Sequence, residues 1–280
     1  MKTELTPEDI RAFEPEAKVG LLATVDPHGL PHITLITSLR ARTATELMWG
    51  QFSEGKSKQH VRDNPKVGFL VLTPDRRLWQ GRARWTQTAR CGPDFEIFNN
   101  LPMFRYNAYL GIHTVHHMAL VDTTGQQRLP MAAVVTATVL TRLARLASPS
   151  SGGGILSVWA RDLFNDLSSL KFLAYVDACG YPRMVPLIQC QARSRDTLVF
   201  SAAAFGAELR ALRQGVPVAV FGLTLKMESV LVRGPFGGFR PSLFGRMGNI
   251  GINWVYNSMP PKQGQIYPAV PLEPIVCFDD

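Results

Sequence analysis

Val19–Ile36 reads VGLLATVDPHGLPHITLI, and Leu170–Leu187 reads LKFLAYVDACGYPRMVPL. The two stretches are one pattern written twice. Asp26 aligns with Asp177, Gly29 with Gly180 and Pro31 with Pro182, all at the same spacing. The spacing continues without a gap, so that Leu47 meets Leu198, Gly55 meets Gly206, Val67 meets Val218 and Thr73 meets Thr224. Self-similarity at a fixed period marks a duplicated structural unit. Within each copy, two apolar runs flank a D-x-x-G-x-P turn, the signature of a hairpin. A third strand follows (ELMWGQF or TLVFSAA), then a short helix (SKQHVRDN or ELRALRQG), a fourth strand (VGFLVLT or VAVFGLT), and then LWQGRARW or LVRGPFGG. Many short strands with one or two inserted helices predict a mainly β fold with α elements (α+β). Each copy should close into a small barrel rather than join a parallel sheet.

The rest of the chain fits around this repeat. Residues 1–147 form the first unit, 148–154 a Ser/Gly-rich linker, 155–240 the second unit, and 241–280 a tail rich in Gly, Pro and aromatics. The tail has no regular period. It is expected to be irregular, either covering a cofactor with Trp254 and Tyr256 or sealing the second barrel. MAAVVTATVLTRLARLA before the linker reads as a strand running into a helix, and WARDLFNDLSSL after it as a helix. Thr6 is a helix N-cap, with Glu8 and Asp9 in the first turn.

The 280 residues carry a formal charge of +8, spread along the chain without a basic block. That distribution argues against a nucleic-acid tail and is compatible with anionic ligands such as phosphates or carboxylates. The four cysteines show no CxxC or zinc spacing, so free thiols in a reducing cytosol are expected. The charged start of the chain does not read as a signal peptide, and no apolar run is long enough to span a membrane. A cytoplasmic protein without membrane or nucleic-acid partners is therefore expected. No P-loop, dinucleotide fingerprint or hydrolase triad is visible.

One short segment carries chemistry. In GKSKQHVRDNP, Lys56, Ser57 and Lys58 stand where a strand gives way to a helix. Two lysines at a helix N-terminus run against the helix dipole unless an anion is bound there. Lysine charge, a hydroxyl and free backbone N–H groups together suit a phosphate. In the second copy the same positions are Ala207, Glu208 and Leu209. Both cations and the hydroxyl are gone, and an acidic residue stands at the helix start, so the second unit is expected to keep the fold and lose the site.

Together, ATVDPHGLPHITLI, GKSKQHVRDNPKV and LWQGRARW resemble the pyridoxamine 5'-phosphate oxidase-like, flavin-binding split barrel, over most of Val19–Thr86 and more weakly over Leu170–Phe239. The resemblance implies two tandem split β-barrels of the FMN-binding type. It also implies a flavin, FMN or FAD, with its phosphate on Lys56, Ser57 and Lys58. The isoalloxazine would lie along Ile33, Thr34, Leu35 and Ile36, beside Trp49, Gly50 and Gln51. In such proteins the flavin lies at a subunit interface, so the two units are expected to pack on each other, or two chains to form a homodimer.

All six histidines lie in the first unit, and His113, His116 and His117 are the densest group. They are candidate iron ligands for a haem b, because haem needs only one or two protein ligands. Doubled length and this cluster resemble the flavohaem oxidases of nitrogen-fixing bacteria. Arg82 is a candidate for an adenylate, pyrophosphate or haem propionate. Arg105, Tyr106, Asn107 and Tyr109 are candidates for lining the flavin or a carboxylate substrate. No obligatory acid–base residue stands out, which suits chemistry carried by cofactors. The expected activity is a flavin-dependent oxidase taking electrons from a donor to dioxygen. The alternatives are a flavin- or haem-binding protein without turnover, and a reductase of a small organic substrate.

Overall fold

The computed structural model describes residues 1–51, 55–101, 111–147, 154–257 and 264–268. The first unit opens with helix α1 (Pro7–Ala12), capped reciprocally by Thr6 and Asp9. Its strands are β1 (Val19–Val25), β2 (Pro31–Leu35), β3 (Arg40–Ala41), β4 (Glu46–Gln51), β5 (Lys66–Leu72), β6 (Arg77–Ala89), β7 (Thr114–Thr123) and β8 (Gln127–Arg128). Helix α2 (Lys56–Asp63) lies between β4 and β5, and α3 (Pro93–Asn99) between β6 and β7. A long helix, α4 (Met131–Ala147), leads out of the unit, and α5 (Val158–Asn165) opens the next. The second unit then runs β9 (Leu170–Val176), β10 (Pro182–Pro186), β11 (Gln191–Ala192), β12 (Thr197–Ser201), α6 (Gly206–Leu209), β13 (Pro217–Leu223), β14 (Ser229–Ser242), β15 (Gly245–Gly251), β16 (Trp254–Asn257) and β17 (Gly264–Tyr267).

The two sheets follow the same path. The first has the order β2-β1-β5-β6-β7-β4-β3 with β8 on β6. The second has the order β10-β9-β13-β14-β15-β12-β11 with β16 on β14 and β17 on β16. All recorded pairings are antiparallel, and the chain is two split barrels in tandem. Each barrel is filled by its own apolar residues. Leu22, Trp49, Phe69 and Trp79 are among those in the first, and Leu173, Phe200, Val220 and Val232 among those in the second.

A third apolar cluster joins the two barrels. Leu21, Ala23, Ile33, Leu70 and Leu72 pack with Phe172, Ala174, Met184, Phe221 and Leu223, which are the same five positions in the second copy. Self-complementary packing of one patch on its duplicate is the geometry of a two-fold interface, here within a single chain. The backbones approach closely: a Cβ on Gly68 would stand 2.2 Å from the Pro182 carbonyl oxygen. Only glycine fits there.

The hairpin turns use one aspartate twice. Oδ1 of Asp26 accepts the His28 and Leu30 backbone N–H groups, while Gly29 takes φ +77°. Asp177 does the same for Cys179 and Tyr181, with Gly180 at φ +78°. The other carboxylate oxygen of each is left facing the opposite unit.

Two expectations change on this framework. The stretch after residue 240 is not irregular throughout. The hairpin of β14 and β15 and the strand β16 complete the second sheet. A register shift between Phe236 and Phe239 breaks the alternation that would have revealed them. The segment expected to be strand and then helix is helical from Met131 to Ala147. Its β-branched run packs against the second barrel, and Thr138 and Thr141 satisfy their hydroxyls on carbonyls one turn back. Although α4 follows the first unit in sequence, it lies on the second: Thr141 Oγ1 accepts the Ser201 N–H, and Gln191 Nε2 donates to the Thr138 carbonyl.

Candidate functional site

Helix α2 begins where expected, at Lys56, directly after Gly55. No side chain caps it and no acidic residue stands in its first turn. Its leading N–H groups therefore lack the usual partner. Ser57 is buried, and its Oγ finds no hydrogen-bond partner among the described residues. Lys58 is buried too and folds back over the helix start, its Nζ 3.4 Å from where a Cβ on Gly55 would stand. Burying a hydroxyl without a partner at a helix N-terminus is costly unless an anion shares the space. The donor set, two ammonium groups and a hydroxyl at a positive helix end, fits a phosphate.

The second unit supplies the facing wall. Lys56 Nζ lies 5.7 Å from the Trp254 ring centroid and 5.5 Å from that of Tyr256. Both residues stand on β16, two apart and hence on one face, with parallel rings 5.4 Å apart. Gln265 on β17 holds the Trp254 indole N–H at 2.9 Å. Arg233 on β14 stacks its guanidinium 4.3 Å from the Trp254 ring, donates to Asp26 Oδ2 at 2.7 Å, and reaches His32 Nδ1 at 3.3 Å. The His32 ring stands edge-on to His60 and to Tyr256, and His60 Nδ1 bonds the Thr24 hydroxyl at 3.0 Å.

The field in this corner is positive. The charges of Lys56, Lys58 and Arg233 all act on His32, and Arg233 is paired with Asp26. Burial pushes the imidazolium of His32 well below its ordinary range, and the charges of Arg233, His60, Lys56 and Lys58 add to that. Burial likewise takes His60 down to about 4, with Asp26 opposing and Arg233 and Lys56 assisting. Both imidazoles are neutral at pH 7. Burial alone would raise the Asp26 carboxyl. The Leu30 backbone N–H and the Arg233 charge outweigh it and hold the group below the usual carboxylate range. Burial raises the Tyr256 phenol to about 12, which keeps it a neutral donor.

A duplicate of the Arg233–Asp26 bridge stands across the pseudo-two-fold. Arg82 pairs with Gly68 across its ladder as Arg233 pairs with Ala219. Arg82 donates to Asp177 Oδ2 at 3.3 Å, the reciprocal of Arg233 on Asp26. Arg82 also binds Asp122, and Asp122 faces Arg183 at 3.6 Å. The guanidinium of Arg82 is thus engaged by two carboxylates, on the side of the seam away from Lys56. Expected as a candidate for an adenylate, pyrophosphate or haem propionate, Arg82 stands in an inter-unit ion pair. The residue that does face the lysines is Arg233. Aligning LWQGRARW with LVRGPFGG by their glycines hides it, whereas the repeat spacing itself carries Arg82 onto Arg233.

The equivalent corner of the second unit is built from other groups, and Gly206 and Ala207 of α6, with Arg210 just after it, border a depression there rather than a pair of lysines. Phe205, in left-handed backbone just before α6, packs where three apolar clusters meet, and Met131, Val134 and Ala137 of α4 come from the other side. Glu208 stands in the first turn of α6.

The other expected residues divide. Ile33 lies in the inter-unit cluster, Ile36 and Trp49 in the first barrel, and Thr34 and Leu35 are half-buried along β2. Gly50 is held through both its N–H and its carbonyl by the Ser38 hydroxyl. His113, His116 and His117 do not converge. His116 is stacked on Trp49 at 3.8 Å, accepts the Trp85 indole N–H at Nδ1, and bonds Gln51 Oε1 through Nε2 at 2.7 Å. With both ring nitrogens taken it has no lone pair for a metal, and burial with the nearby Lys58 and Arg62 charges lowers it to about 3. His117 faces Asp94 at 3.8 Å, and exposed His113 bonds Thr114. Among the described residues no group of three His, Cys, Asp or Glu side chains is placed to hold a metal ion. Arg105, Tyr106, Asn107 and Tyr109 lie outside the described residues. No helix among those described is long and apolar enough to cross a membrane.

Residues 6–139 match the model of the pyridoxamine 5'-phosphate oxidase family. No curated protein matches the chain. Similar solved structures include HupZ of Group A Streptococcus, 14% identical over 42% of this chain and 92% of that one, with a TM-score of 0.36. An FMN-binding protein of Syntrophomonas wolfei is 14% identical over 41% and 80%, at 0.35. General Stress Protein 26 of Bacillus anthracis is 16% identical over 42% and 94%, at 0.32.

Proposed function

We propose that this chain, whose first unit belongs to the pyridoxamine 5'-phosphate oxidase family, is a flavin-dependent oxidoreductase holding one phosphorylated flavin between its two units. The observation that carries the reading is the start of α2, where a buried Ser57 Oγ without a partner lies beside two lysines and faces rings from the other unit. A bound flavin supplies electron transfer. Lys56 and Lys58 would balance the charge of its phosphate, and Ser57 Oγ would donate to a phosphate oxygen. The β2 stretch from Ile33 and the end of β4 at Trp49, Gly50 and Gln51 would line the ring. Arg233, fixed by Asp26, keeps a positive charge at the mouth. His32 and His60 stay neutral there and can exchange hydrogen bonds without adding charge. Dioxygen is the acceptor we propose, and no haem enters the reading.

The test is a titration of the purified protein with FMN and with riboflavin, followed by flavin fluorescence. FMN should bind at least about 100-fold more tightly, the scale of two charge-assisted hydrogen bonds. Equal affinity for the two would remove the phosphate assignment. Consumption of dioxygen on addition of a reductant separates the oxidase from a reductase, which needs an organic acceptor for turnover.

A further inference from the structure

Away from this corner, α4 and the hairpin of β14 and β15 enclose a groove on the second barrel. It holds two depressions of about 330 and 350 Å³. Leu140, Ala144 and Ala147 line them from α4, and their spacing puts all three on one face of the helix. Val199 and Met247 line the second depression from the sheet. Arg210 and Arg246 stand at one depression, Arg193 and Arg240 at the other. No Asp or Glu lines either depression among the described residues. None of the four arginines makes an ion pair among those residues, and Arg246 rests on the Phe239 ring. Beside the groove, Val135, Val139, Leu143 and Leu146 form a second stripe along α4 that stays exposed, and Leu243 on the hairpin is 99% exposed.

A helix apolar on nearly every side, with one side open, marks a face that a partner covers. The charge identifies the partner. Two arginine pairs are set apart along the helix rather than converging on one point, which suits several acidic groups on an extended backbone. The apolar floor and stripe require apolar side chains between those groups. We propose that this groove and the outer face of α4 bind an acidic segment of a partner protein that carries leucine-like side chains. The proposal does not rest on the flavin reading.

The test is fluorescence anisotropy of the full chain with a labelled amphipathic peptide of Glu and Leu, its Gln and Leu counterpart, and a labelled oligothymidine. The Glu peptide should bind, weaken as salt rises, and exceed the Gln peptide by about tenfold or more. Changing all four arginines (R193Q, R210Q, R240Q, R246Q) should abolish that difference. Ala144→Trp, which fills the groove at unchanged charge, should weaken binding by a similar factor. Changing Arg90 and Arg128 to Gln, on other surfaces, should leave it unaltered. No binding of the Glu peptide, binding indifferent to the four arginines, or a preference for oligothymidine lost on the same changes would each overturn the proposal.

Discussion

The start of α2 and the start of α6 occupy the same place in two copies of one fold, and they are built for opposite purposes. In the first unit the helix begins with Lys56, Ser57 and Lys58, with no cap and no acid. In the second, Glu208 stands in the first turn and Phe205, just before the helix, packs against α4 and the core. One copy keeps a buried hydroxyl without a partner at its helix start, and the other has lost the hydroxyl and both lysines there. Duplication allows this. A two-fold interface needs both patches to pack, yet only one of the corners beside it need bind anything. The second unit places Arg233, Trp254 and Tyr256 against the corner of the first.

The largest effect tests the shared seam. Arg233→Ala would leave the partly buried Asp26 carboxylate with only its backbone donors, at a cost of about 1.5–3 kcal/mol. Urea unfolding should show that loss, and Asp26→Ala combined with Arg233→Ala should cost less than the two separately. Arg82→Ala should cost less than Arg233→Ala, because Arg82 is more exposed. Equal losses would mean that the two sides of the seam are not distinguished by burial. Next in size, changing Lys56 and Lys58 to Ala should lower FMN affinity by about 100-fold or more, toward that of riboflavin, with the unfolding midpoint little changed. A fall in riboflavin affinity of the same size would show that the change disturbs the pocket rather than the phosphate.

A smaller effect is set by pH. His60 is held at about 4 and His116 at about 3, against an ordinary 6.5. The unfolded chain therefore takes up protons that the folded chain refuses. Stability is full above pH 6.5 and is lost as pH falls from there toward about 4 and 3. The melting temperature should drop through that window, and His60→Gln should flatten the upper part of the slope. An unchanged slope would mean that His60 is accessible to protons when folded. The smallest effect expected is none. Installing the first unit's residues in the second (Ala207→Lys, Glu208→Ser, Leu209→Lys) should create no second flavin site, because position 209 belongs to the apolar core of the second barrel and Phe205 still packs beside it.

Much of this contrast can be read from the sequence, and the reasons are physical. The repeat is visible because turn residues are constrained by backbone geometry: Asp26 and Asp177 cap their own turns, and Gly29 and Gly180 take positive φ. The lysines at α2 stand out because they oppose the helix dipole. Arg233 does not stand out, since its role depends on a partner 207 residues away in the chain. The surroundings of the histidines of β7 are hidden for the same reason. Whether an imidazole has a free nitrogen depends on Gln51 and Trp85, which neighbouring residues do not reveal. The strands after residue 240 and the helical run of α4 are hidden by a bulge and by β-branched residues, where packing overrides local preference.

The most direct test of the central claim is the number of flavins bound per chain, from the absorbance of protein saturated with FMN and freed of excess by gel filtration. One per chain is expected, falling to none when Lys56 and Lys58 are replaced by alanine. Two per chain, or one that survives that replacement, would contradict the division of labour between the two units.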